Sequence, residues 1–134
     1  SAAIGSLAIN KTIAAEHEHQ EHHEAASKIK VPDTLEGIWK EIHAHEQQLM
    51  DSVKAKKLSE VHEHAFAIRD LAKGLPAKTH PDHKKHVENL VKRISQLAED
   101  LDKSGDAGNQ AATEAYLKRM DAALKSAAEM TGEK

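Results

Sequence analysis

Four stretches of this chain carry apolar residues at three- and four-residue spacing, and the breaks between them are short. This pattern confines the fold more than any other feature. It gives each stretch one apolar face that another helix must cover. The first stretch, from about Thr34 to Lys56, repeats Leu35, Ile38, Trp39, Ile42, Leu49 and Val53. The second starts near Ser59 and carries Val61, Ala65, Ile68, Ala72 and Leu75, with Gly74 and Pro76 ending it. The third runs from about Pro81 to Lys103, with His83, Val87, Leu90, Ile94, Leu97 and Leu101 in line. Ser104 to Asn109 reads as a turn, and the fourth stretch follows from about Asn109 to Met130. Asp33 or Thr34 can cap the first helix, and Pro81 suits the first turn of the third. Trp39, Phe66 and Tyr116 are the only aromatic residues, which argues against a β-rich core. The expected fold is all-α. It is an antiparallel up-down-up-down four-helix bundle over 34–131, preceded by a histidine-rich N-terminal arm at 1–33.

Charge and composition then remove several function classes. Lys+Arg is 19 and Asp+Glu is 22, a formal net charge of −3, so no basic field invites nucleic acid. Cysteine is absent, which excludes disulfides, thiolate metal sites and covalently attached haem. No apolar run approaches the roughly 18 residues of a membrane span. The sequence begins at Ser1 without Met, which fits a mature chain whose signal peptide has been removed, so a periplasmic or secreted location is expected.

The layout of helices and loops resembles the soluble periplasmic b-type cytochromes, a family of four-helix bundles. The segment LSEVHEHAFAIRDL at 58–71, the proline-containing loop at 76–82 and the short turn after the third helix carry the likeness. The family holds haem with a Met near the start of its first bundle helix and a His near the end of its last. Here the first position falls near Ile42, and residues 109–130 contain no histidine, so haem binding is not expected. A looser likeness, in composition and helix pattern, is to histidine-rich periplasmic heavy-metal-binding proteins.

Eleven histidines in 134 residues are the chemical anomaly. Imidazole suits zinc, copper and nickel, and it ligates only when neutral. His43 and His45 flank the apolar stripe of the first helix, and His62 and His64 flank that of the second. Residues two apart on a helix point about 200° apart, so the members of each pair should serve different neighbouring helices. His80, His83 and His86 are spaced by three, and such residues share a helix face. His83 and His86 could therefore meet His43 or His45, with His64 close to the same level. Glu46 falls inside the apolar stripe of the first helix and needs either a metal or a partner such as Arg69 or Arg119. The run EHEHQEHHE at 16–24 adds His17, His19, His22 and His23 as a looser metal collector.

Enzyme signatures are missing. The bundle region has no paired Glu-x-x-His for a di-iron centre, no His-Glu-x-x-His and no phosphate loop. The expectation is a non-enzymatic buffer, chaperone or sensor for zinc, copper or nickel. It would exchange metal with an efflux or delivery protein, and a homodimer is compatible with its bundle. The competing expectation is a helical interaction module that responds to pH through its histidines.

Overall fold

The computed structural model describes residues 29–133. Those residues form four α-helices and no strand: α1 (Leu35–Lys54), α2 (Val61–Ala72), α3 (Pro81–Asp106) and α4 (Gln110–Thr131). Single 3-10 turns at Leu58–Glu60 and Pro76–Lys78 bracket α2. The arm histidines 17, 19, 22 and 23 lie outside the described residues.

Local chemistry sets the helix ends. Thr34 Oγ1 accepts the Gly37 N–H at 3.0 Å and starts α1. Asn109 Oδ1 accepts the Ala112 N–H at 3.0 Å and starts α4. At the start of α3, Pro81 takes the first helical position and His80 Nδ1 accepts the Asp82 N–H at 3.2 Å. Gly132 ends α4 in the left-handed region, φ 77°, and the Glu133 N–H returns to the Ala128 carbonyl at 2.9 Å. α1 ends on the same type of closure, but its left-handed residue is Lys56, φ 62°.

Each helix packs on its chain neighbours, and α4 returns to touch α1, so α1 and α3 are diagonal. Ile38, Ile42, Leu49, Ile68, Leu71, Leu75, Ile94, Leu101 and Met120 are fully buried between them. Trp39 joins this core, and its indole N–H donates to Thr131 Oγ1 at 3.0 Å, tying α1 to the end of α4. At the opposite end, Gln110 Nε2 donates at 2.8 Å to the Val53 carbonyl, which also accepts the Lys56 N–H at 3.0 Å in the turn that closes α1.

Two sequence expectations need correction here. Ser104, Gly105 and Asp106 continue α3 instead of turning. A Cβ on Gly105 would sit 2.9 Å from the Leu58 carbonyl oxygen and 3.4 Å from Val61 Cβ, so glycine here serves close helix approach. Ser104 is buried too, its hydroxyl 2.7 Å from Thr113 Oγ1 on α4. Second, His83 is not part of the α3 core stripe. Residues 81–86 are all exposed, and α3 enters the core only from Val87.

Candidate functional site

The histidines of α1 turn to two different seams. His45 faces α2, where its Nδ1 lies 3.3 Å from His64 Nδ1. The two rings are half-buried, with centroids 5.6 Å apart and planes 42° apart. His43 faces α4, where its Nε2 lies 3.0 and 2.8 Å from the two carboxylate oxygens of Glu133. Two residues on a helix separate these partners by nearly half a turn.

The His45–His64 pair has the spacing of two metal ligands. Two nitrogens each about 2.0–2.1 Å from a tetrahedral zinc are about 3.3–3.4 Å apart. Burial lowers the His45 pKa below 6.5, and the neighbouring His64 charge lowers it further, while Glu41 and Glu63 oppose both. The net effect favours the neutral imidazole, the form that ligates. Among the described residues, no group of three or more histidine, aspartate or glutamate side chains is already gathered as a metal cluster. The pair thus offers two ligands and leaves the remaining positions to water, to a side-chain rearrangement or to an incoming group.

The other expected ligands are dispersed. His83 and His86 are exposed on α3, diagonal to α1, and do not join His43 or His45. His80 and His83 have ring centroids 6.2 Å apart at the exposed start of α3. His62 is buried on α2, on the side away from His64. Asp102 of α3 is also buried, and the approach of Gly105 to Leu58 and Val61 sets Asp102 near the level of His62 in the antiparallel pair.

Glu46 is buried, 9% exposed, and its partner is neither of the arginines expected. Arg69 binds Asp70 at 2.9 Å and lies over Phe66, while Arg119 lies over Tyr116. The group that perturbs Glu46 is instead Asp121 of α4. Burial raises the Glu46 pKa from 4.5 to about 7, and the Asp121 bond and charge add to the rise. Desolvation pushes the Asp121 pKa up, but Glu46 and the Lys125 ammonium, 3.1 Å from Oδ2, outweigh it and hold the pKa below 3.8. Glu46 Oε2 is buried without a hydrogen-bond partner.

Asp121 and Glu133 escaped the sequence reading. Asp121 sits on α4 beside the stripe residue Met120, a position that looks solvated until α1 is placed against it. Glu133 lies past the last helix, and only the left-handed Gly132 closure turns its chain back toward His43.

Compared with known proteins, the chain matches no family model, no curated protein and no solved structure. The functional reading therefore stands on the geometry and chemistry of these seams. No helix among the described residues is long and apolar enough to cross a membrane.

Proposed function

We propose that this protein binds a divalent transition metal, zinc, copper or nickel, as a buffer, chaperone or sensor, with His45 and His64 as its ordered ligand pair. The 3.3 Å approach of the two Nδ1 atoms carries the reading. It brings two borderline nitrogen ligands from different helices to the edge length of a tetrahedral site. A lowered His45 pKa supports it, because a proton then competes less for the ligating nitrogen near neutral pH. Two imidazoles with open positions suit exchange more than permanent retention, and so suit hand-over to an efflux or delivery protein. The arm histidines 17, 19, 22 and 23 fit the same role as a collector without fixed geometry. A periplasmic or secreted setting, where such exchange is needed, belongs to this reading.

Calorimetric titration of the tag-free full chain with zinc, copper and nickel tests it. Binding tighter than about 100 µM for at least one metal is expected. Replacing His45 and His64 together by alanine should weaken the tightest site by about tenfold or more. An unchanged isotherm in that double variant would sink the proposal.

A further inference from the structure

We propose that a second copy of this chain completes the His45–His64 metal site, so that one divalent ion joins two copies across a two-fold axis through four imidazoles. The inference rests on the reading of His45 and His64 as metal ligands, and it names the partner of that site.

The ligand count is the first support. Zinc takes four ligands in a closed tetrahedral site. His45 and His64 supply two, with their Nδ1 atoms 3.3 Å apart. Among the described residues, no third histidine, aspartate or glutamate is gathered with them. A two-fold axis through the ion repeats the same pair and brings the count to four. No further ligand type is required, because a two-fold contact sets the same patch of each copy against the other.

The placement of the pair is the second. Both side chains sit on the rim of the α1–α2 seam, neither buried nor fully exposed. The core lies directly beneath them, where Ile42 and Leu49 of α1 and Ala65 and Ile68 of α2 are fully buried. The open coordination positions therefore face outward. The apolar side chains below offer no ligand, and a second copy can approach from above.

Charge makes the contact depend on metal. Glu41 precedes His45 by four residues and Glu60 precedes His64 by four, so each shares its histidine's helix face one turn away. Because α1 and α2 are antiparallel, the two carboxylates flank the pair from opposite ends. Glu63, next to His64, is exposed. Two metal-free copies that bring these faces together meet like charge with like charge. A divalent ion between the imidazoles attracts the same carboxylates and offsets their repulsion. The metal-free chain is thus a monomer and the loaded form a dimer. With two chains per ion, loading follows the concentration of metal-free chain, which suits a buffer that releases metal as free chain runs short.

The test is zinc titration of the full-length chain by calorimetry, with mass followed by light scattering after size exclusion. The arm histidines 17, 19, 22 and 23 and the exposed His83 and His86 are first replaced by glutamine to remove competing collectors. A monomer is expected in chelator. Added zinc should double the mass, reaching completion at about one zinc per two chains. The double variant His45→Gln with His64→Gln keeps side-chain size and polarity, and circular dichroism checks its helicity. It should lose both the doubling and the zinc that drives it. One zinc per chain on a monomer, lost in the double variant, overturns the dimer and leaves the proposed function standing. Monomeric binding by the unaltered chain that needs both the arm histidines and His45 with His64 does the same, with the arm as the completing group. Doubling that persists in the double variant overturns the shared site. Zinc binding indifferent to His45 and His64, or no zinc binding at all, overturns both readings.

Discussion

His45 and Glu46 are consecutive residues whose proton affinities move in opposite directions for one reason: burial penalises the charged form of each. Their effects on stability have opposite signs. Between pH 4.5 and about 7 the folded chain keeps a Glu46 proton that the unfolded chain releases. The stabilisation is fully present below 4.5 and is lost as pH rises through about 7. Below pH 6.5 the unfolded chain takes up a His45 proton that the folded chain resists, so stability falls as pH drops from 6.5 toward the lowered folded pKa. Asp121, moved below 3.8, contributes stability that is lost only as pH falls through its folded pKa. Glu46→Gln should therefore gain on wild type by about 2 kcal/mol between pH 5 and pH 8, read from urea unfolding at both values. A constant difference across that range would show that Glu46 titrates normally. His45→Gln should flatten the loss of stability just below pH 6.5, measured in the same way.

At the scale of elements, two positions are under backbone constraint. Lys56 closes α1 in the left-handed region, φ 62°, where a side chain is strained and glycine is not. Lys56→Gly should stabilise the protein by about 1 kcal/mol, seen as a higher denaturant midpoint with an unchanged slope. Gly105 has the reverse logic. A methyl group there meets the Leu58 carbonyl oxygen at 2.9 Å, and backbone cannot yield as a side chain can. Gly105→Ala should cost about 1–3 kcal/mol, although alanine is the better helix former. The sequence predicted the four helices to within a few residues because their apolar spacing is regular. It ended the third too early because Ser104-Gly105-Asp106 has the local chemistry of a turn. Tertiary packing overrode that preference, since Gly105 lets α3 press on the chain entering α2.

At the scale of the whole molecule, metal binding should be visible as stability. A ligand at 100 times its Kd adds about 2.7 kcal/mol to the folded state. For a chain of 134 residues this raises Tm by roughly 10 °C. Saturating zinc should produce such a rise at pH 7.5 and a much smaller one at pH 5, where protons compete for His45 and His64. Differential scanning calorimetry at the two pH values decides it, and an equal rise at both would argue against imidazole ligands.

Helix periodicity, short connections and the residues two apart that straddle each stripe were properties of the sequence alone. They determined an all-α bundle and the fact that His43 and His45 must serve different neighbours, because a helix turns by about 100° per residue whatever surrounds it. Which neighbour each one meets was decided only by the tertiary structure. With α1 and α3 diagonal, His45 is left to His64 of α2 and His43 to Glu133 beyond α4, while His83 and His86 stand exposed at the start of α3. The partners of Glu46 were decided in the same way. Spacing along one chain cannot show that Asp121, on a helix 75 residues away, faces it across the seam that closes the bundle.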